Sequence, residues 1–135
     1  MMDKIAEYRE AMKRAERLAL ELDAAMDARP RSPKLTGLPR SGQNATLDLQ
    51  MEIIEAAEKR FEAAREIALE KLSELEEEID RLDEYEQKMV LYLRHIYRMR
   101  WSDVADRMHW SERTVRRIHA RAVRSLAERG KDETD

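Results

Sequence analysis

Five arginines near the C-terminal end of the chain have the type and spacing to bind an anionic polymer. They alternate with four apolar residues, and at about 3.6 residues per turn the two sets fall on opposite faces of one helix. The basic set is Arg113, Arg116, Arg117, Arg121 and Arg124, and the apolar set is Val115, Ile118, Ala122 and Leu126. Guanidinium groups bind phosphates and can also donate to O6 and N7 of guanine together. The pattern therefore predicts a nucleic-acid-binding helix over residues 112–128.

The role of each side chain follows from its position along that helix. When a helix enters the major groove of double-stranded DNA, its N-terminal residues contact base edges and later residues contact phosphates. We therefore predict base contacts from Glu112, Arg113, Arg116 and Arg117, with the glutamate accepting from cytosine N4. Phosphate contacts are predicted from Ser111, Arg121 and Arg124, and the serine is also a good N-cap for the helix.

The residues just before this helix complete a helix-turn-helix. The stretch from Trp101 to Leu126 is WSDVADRMHWSERTVRRIHARAVRSL. Three of its residues are predicted to face inward from the first helix: Val104, Ala105 and Met108. His109 occupies the turn, where a positive φ is often required, and Trp110 packs under it. A basic amphipathic coiled-coil tail is the alternative, but it leaves the two tryptophans and the small Ala105 unexplained.

The rest of the chain predicts an all-α fold, with a long antiparallel, coiled-coil-like helical hairpin preceding the helix-turn-helix domain. A first apolar seam predicts a helix over residues 3–28 and comprises Ile5, Tyr8, Met12, Ala15, Ala19, Leu22 and Met26. A second predicts a helix over 46–85, N-capped by Thr46, and comprises Leu47, Met51, Ile54, Ala57, Phe61, Ala64, Ala68, Leu72, Leu75, Ile79 and Leu82. The predicted domains are therefore the hairpin (1–85), the helix-turn-helix domain (86–129) and, after a helix stop at Gly130, a disordered tail (130–135).

Residues 29–45 are predicted to be the loop between the two long helices. This segment, RPRSPKLTGLPRSGQNA, holds all three prolines and four basic residues without an acid. Loops of this length are more often functional or disordered than ordinary links, so it is either a mobile basic loop or a second phosphate or protein contact. The longer second helix leaves Leu72 to Leu82 overhanging, to be covered by the C-terminal domain or by a second copy of the chain.

Charge is distributed unequally along the chain. Between Leu47 and Glu86 there are 15 acidic and 5 basic residues, against 9 arginines and 4 acids between Arg98 and Arg129. Six glutamates follow one another at intervals of four: Glu58, Glu62, Glu66, Glu70, Glu74 and Glu78. They form either a solvated face or an acidic docking surface for a basic protein. Either way the arm repels DNA, so DNA contact is expected from the C-terminal domain.

Composition excludes several other classes of protein. The chain has no cysteine, which excludes disulfides and thiolate metal sites and favours a reducing cytoplasm. No apolar run approaches the roughly 18 residues of a membrane span, so no membrane association is expected. His95, His109 and His119 lack metal-ligand spacing, and the last is expected on the helix surface. We expect no catalytic residues, no cofactor and no metal, and hence no enzyme.

The quoted helix-turn-helix resembles region 4 of bacterial sigma factors, which binds the −35 promoter element. The positions that match its core and cap are Val104, Ala105, Ser111, Val115, Ile118, Ala122 and Leu126. The segments SPKLTGLPR and HWSERTVRRIHARA are also similar to segments of small phage-encoded, sigma-like regulators of the ArpU and RinA types. The resemblance implies regulation of transcription, with Glu112, Arg113, Arg116 and Arg117 at the family's base-contacting positions.

Two departures from sigma factors limit this resemblance. No segment resembles the part that melts the −10 element, so a complete sigma factor is not expected. Arg113 stands where many sigma factors have Glu, so the usual −35 sequence need not be the target.

Three functions remain open from the sequence. The first is a sequence-specific DNA-binding transcription regulator of phage or prophage type, whose arm self-associates as a homodimer or contacts RNA polymerase. The second is a DNA-packaging recognition subunit of the small-terminase type, which would form rings. The third is a structural coiled-coil protein.

Overall fold

The computed structural model describes residues 3–28 and 40–133, with side chains over 3–28 and 46–129. All regular structure in these ranges is helical, which confirms the all-α fold class. In order, the elements are α1 (Lys4–Asp27), α2 (Arg40–Asp80), α3 (Tyr85–Leu91), a π-helical turn (Tyr92–Ile96), α4 (Trp101–Met108) and α5 (Glu112–Glu133). None of the helices within the described ranges combines the length and apolarity needed to cross a membrane.

Helix α1 starts at its predicted position because an acid caps it. The Ala6 amide donates to Asp3 Oδ1 at 2.6 Å, which satisfies one of the amides that the first turn leaves unpaired. The helix ends at Asp27, three residues before the first proline, Pro30. The predicted bounds of 3–28 are therefore correct to within a residue at each end.

The bounds of the other long helices differ from prediction. Helix α2 begins at Arg40, so residues 40–45 are helical, Gly42 does not break the helix, and Thr46 is not its N-cap. It ends at Asp80 rather than Tyr85. Helix α5 runs to Glu133, which corrects both the helix stop at Gly130 and the disordered tail over most of its length. The remaining part of the predicted loop, residues 29–39, lies outside the described residues.

The chain divides into two compact units, and the smaller, unit 2, spans Glu10–Leu69. A core cluster between α1 and α2 consists of Ala15, Leu18, Ala64 and Ala68, with Ala11, Met12 and Phe61 packed around it, and Ile54 and Ala57 of α2 are also buried. Residues 15–18 of α1 pack with residues 64–68 of α2, whereas Ala28, further along α1, accepts a hydrogen bond at 3.2 Å from Nε2 of Gln50, which is earlier in α2. The two helices are therefore antiparallel. The predicted seams are correct at their centres, but Met26, Leu47 and Met51 are exposed.

Unit 1 combines the start of α1, up to Arg9, with everything from Glu70 onward. Here Leu75 and Ile79 are completely buried and Leu82 nearly so, so the predicted overhang is covered within the chain. Tyr92 Oη donates to Asp80 at 3.0 Å, and Arg129 pairs with Asp83 at 3.3 Å. These contacts fix the end of α2 to the helices that follow. The boundary of the unit falls at residue 70, whereas the sequence predicts a domain boundary at residue 85.

The helix-turn-helix has a small apolar core inside unit 1. Its buried members are Val90, Leu93, Val104, Ala105 and Val115, and both tryptophans pack against them with Met89, Met99, Met108 and Ile118. Val104 and Val115, one from each helix of the motif, are completely inaccessible to solvent. The predicted inward faces of α4 and α5 are therefore correct.

The turn between α4 and α5 depends on one left-handed residue. His109 has φ 61° and ψ 37°, as predicted for the turn position. The amides of His109 and Trp110 donate to the carbonyls of Asp106 and Ala105, at 3.3 and 3.0 Å, in a Schellman arrangement. A residue with a Cβ pays for this conformation in local strain, which glycine avoids.

Replacing His109 by glycine should therefore stabilise the protein. We expect His109→Gly to raise the free energy of unfolding by roughly 0.5–1 kcal/mol, measured by urea denaturation. The matched control is Ala120→Gly at an exposed, right-handed position of α5, where the same new residue should cost about 1 kcal/mol. Destabilisation by both substitutions would show that the turn does not need a positive φ.

Candidate nucleic-acid interface

The outer face of α5 carries the arginines that the sequence singled out. Arg113, Arg116, Arg117, Arg121 and Arg124 are all exposed, as is Glu112 at the first position of the helix. Opposite them Val115 and Ala122 are completely buried and Leu126 nearly so. Because the buried face is fixed against α3 and α4, the arginines project away from the core. The structure thus brings the predicted contact residues together on one surface.

This basic surface is not neutralised from within. In the part of the chain that the structure describes, the ion pairs do not involve the five exposed arginines of α5 from Arg113 to Arg124. The nearest ion pair along the helix is that of Arg129 with Asp83, about one turn beyond Arg124. Arg100, just before α4, and Arg107, within α4, are also exposed and extend the positive charge. Such a surface attracts a polyanion.

Ser111 caps α5 in the predicted way. Its Oγ accepts from the Thr114 amide at 3.2 Å and donates to the Thr114 hydroxyl at 2.9 Å. The Ser111 hydroxyl is thus engaged at the start of α5. A phosphate contact at this position would come from backbone N–H groups of the first turn of α5 rather than from the Ser111 hydroxyl.

Arg116 is not a free arm, because its guanidinium lies over an aromatic ring. The Arg116 Cζ atom is 5.2 Å from the centre of the Trp101 ring, and Arg94 Cζ lies 4.4 Å from the same ring. Arg94 is itself held by a hydrogen bond from Nη1 to the Met99 carbonyl at 2.9 Å. Cation–π contacts of this kind orient a guanidinium at the surface. Trp101 therefore fixes the approach of Arg116, one of the four predicted base contacts.

A histidine pair lies beside this tryptophan. The Nε2 atoms of His95 and His119 are 2.8 Å apart, so one ring donates to the other. The edge of the His119 ring also meets Trp101, with ring centres 4.9 Å apart. His95 belongs to the π-helical turn, where the Tyr97 amide donates to the Tyr92 carbonyl at 2.9 Å. The pair therefore ties this irregular turn to α5.

Burial keeps both imidazoles neutral. Desolvation, with the His119 ring and the guanidinium groups of Arg9 and Arg94 nearby, lowers the pKa of His95 to about 4, against a small opposing effect of Asp3. Desolvation and the same two arginines also lower the pKa of His119. The neutral hydrogen-bonded pair is thus the form that the fold requires.

Sequence reasoning misplaced His119, which was expected on the helix surface. It is half-buried because it lies four residues after Val115 and three before Ala122, next to the apolar stripe of α5. The position of His119 relative to Val115 and Ala122 is the feature of the sequence that could have predicted its partial burial. The contact with His95 could not be predicted, because it depends on the extra residue in the π-helical turn. Neither ring belongs to a cluster of three or more ligands that could hold a metal, within the described residues.

Comparison with known proteins defines the class of the C-terminal part. Residues 79–128 match the family described as "Sigma-70, region 4". The match covers α3, α4 and all but the end of α5, which includes every predicted contact residue. This part of the chain is similar to a DNA-binding helix-turn-helix domain of transcription factors. No curated protein and no solved structure matches the chain.

The histidine pair should make the fold sensitive to acid. The pKa of His95 is about 4 when folded and about 6.5 when unfolded, so its contribution to stability is present above pH 6.5 and is lost as the pH falls towards 4. After allowance for solvent screening of a half-buried group, we expect about 1 kcal/mol to be lost between pH 7 and 5.

The measurement is urea denaturation at both pH values for the wild type and His95→Gln. The carboxylates titrate alike in both proteins, so the difference between the two pH dependences isolates the imidazole. The variant should lose less stability than the wild type on acidification. An equal loss in the two proteins would contradict a neutral, buried His95.

Proposed function

We propose that this protein is a sequence-specific DNA-binding transcription regulator of phage or prophage type. Its α5 helix enters the major groove of promoter DNA, where Glu112, Arg113, Arg116 and Arg117 contact bases. Arg121 and Arg124 contact phosphates, together with the backbone amides that follow Ser111. The remainder of the chain contacts a protein, which is either RNA polymerase or a second copy of this chain. No catalytic step is part of the proposal.

The observation that carries the proposal is the row of exposed arginines on α5 within a region matching sigma-70 region 4. Either feature alone would be weaker support. A basic helix binds many polyanions, and a helix-turn-helix can serve as a structural unit. Together they give a helix of the right length and charge on a fold that presents such a helix to the major groove.

The charge of the rest of the molecule supports a division of labour. The acidic excess of α2 is unfavourable near phosphates, so the basic face of α5 is the surface that DNA should select. The helices outside the matched region then remain for contact with protein. In such a regulator α5 determines where the protein binds, and the bound protein partner determines the effect on transcription.

Two arginines of α5 should differ in their effect on DNA binding. Arg117→Ala should weaken binding to a selected site by about 1–3 kcal/mol and relax the base preference there, because a bidentate base contact is lost. Arg124→Ala should weaken binding to all sequences alike and reduce the slope of log K against log salt by about 1.

Fluorescence anisotropy with the selected duplex and a scrambled duplex, over a salt series, measures both effects. Arg65→Ala provides the control, because this residue is exposed on α2 outside the matched region and should leave binding unchanged. If the Arg117 and Arg124 variants lose the same affinity on both duplexes, the assignment of base and phosphate contacts is wrong.

A further inference from the structure

Helix α2 carries a second apolar row that nothing in the described chain covers. Its members recur at alternating intervals of four and three: Leu49, Ile53, Ala56, Arg60, Ala63 and Ile67. All six are exposed, with the three large members 57%, 51% and 47% accessible in chain order. This is the a/d spacing of a coiled-coil seam. We call it the outer seam, and it is separate from the row that faces α1, in which Ile54, Ala57, Ala64 and Ala68 are buried.

The outer seam begins and ends within unit 2. The next two positions in its register are Glu70 and Glu74, which belong to unit 1. There Glu74 pairs with Lys4 at 3.1 Å and with Lys71 at 3.4 Å, so the row has become polar and is satisfied within the chain. The row therefore changes from apolar to polar at the boundary between unit 2 and unit 1. An apolar row without a function would not be expected to end at this boundary.

Unit 2 also has a reason to need another layer. Three of the four members of its core cluster are alanines, each of which buries less apolar surface than a larger side chain would. A stable helical layer normally covers its exposed stripe with a further element. The outer seam is about 27 Å long, so it extends over roughly five turns of α2.

The charged member of the seam indicates what covers it. Arg60 lies among apolar positions and needs an acid from the covering element. In an antiparallel pairing of two copies centred near residue 58, Arg60 lies across Ala56 of the partner subunit. Its long side chain then reaches towards Glu52 of the partner subunit, one turn away on the edge of the same row. A parallel pairing would instead place Arg60 against the positively charged Arg60 of the partner subunit.

The same register also matches the sizes of the apolar members. Leu49 meets Ile67 of the partner subunit, and Ile53 meets Ala63 of the partner subunit. Each a position then faces a d position, as antiparallel coiled coils require. The small alanines allow the two backbones to approach closely beside the larger side chains.

We propose that the outer seam is the interface between two copies of this chain, paired antiparallel through α2. Unit 2 then becomes part of a four-helix layer built from α1 and α2 of both copies. The dimer carries two helix-turn-helix domains and binds two DNA half-sites. The protein contacted by the region outside the sigma-70 region 4 match is then a second copy of this chain. Dimer formation needs no DNA, so its failure would leave the proposed DNA binding in place.

The first test measures the mass of the full chain without DNA by sedimentation equilibrium, at total concentrations up to about 100 µM. We expect a dimer for the wild type and at least a tenfold weaker association for Ile53→Glu/Ile67→Glu. The control is Leu69→Glu, which introduces the same residue on the same helix at 52% exposure but on another face. It should dimerise as the wild type does, and circular dichroism should show equal helicity in all three.

The second test fixes the direction of pairing. The chain has no cysteine, so Ile53→Cys and Ala63→Cys each introduce a single thiol. Under mild oxidation a mixture of the two variants should form a mixed disulfide dimer, whereas neither variant alone should cross-link efficiently. Self-cross-linking of each variant would show a parallel pair and overturn the proposal.

Two mass results would also overturn it. One is a monomeric wild type throughout the concentration range, which would leave the seam to a different protein such as RNA polymerase. The other is a ring of eight or more copies, which would favour DNA packaging over the regulator. An Ile53→Glu/Ile67→Glu protein that dimerises as tightly as Leu69→Glu would place the interface elsewhere on the chain.

Discussion

The packing of α5 on its apolar side determines where the basic surface of the molecule lies. Val115 and Val104 are completely buried, and Ala105 is small enough to let the two helices of the motif approach closely. With that face fixed, helical geometry leaves the arginines no direction but outward. The left-handed His109 sets the angle between the helices, and Ser111 sets where α5 begins. A cationic surface of defined position thus results from burying apolar side chains.

Electrostatics then separates the regions of the sequence. The chain has a formal net charge of −3, yet its basic residues are concentrated in the helix-turn-helix and its acids in α2. The described ion pairs on the start of α1 tie Lys4 to Glu7 and Glu74, so part of the acidic charge is used within unit 1. The five exposed arginines of α5 from Arg113 to Arg124 take part in none of these described ion pairs. Within the described residues, the matched region therefore offers a polyanion a cationic face that no ion pair neutralises, and there Trp101 orients Arg116.

The sequence predicted those features that depend on local periodicity and failed where distant packing decides. The faces of α4 and α5, the turn at His109 and the cap at Ser111 were predictable because helical spacing and backbone preference determine them. The start of α2 was not, since a glycine and an asparagine before Thr46 suggested a loop, while the helix extends through them to Arg40. The histidine pair was missed because it joins residues 24 apart through a π-helical turn. The outer seam was not predicted, because one apolar row is enough to indicate that α2 is an amphipathic helix. Only the exposure of the side chains distinguishes the row that faces α1 from the outer seam. The roles of single arginines remain predictions.

The central claim is that α5 recognises a DNA sequence rather than charge alone. Selection of bound duplexes from a random pool by the wild-type chain, at near-physiological salt, tests it most directly. We expect enrichment of one short motif that contains guanines, because arginines contact guanine, and loss of this enrichment when the selection is repeated with Arg113, Arg116 and Arg117 all replaced by alanine. Recovery of an unenriched pool by the wild type, with binding that salt alone governs, would contradict it.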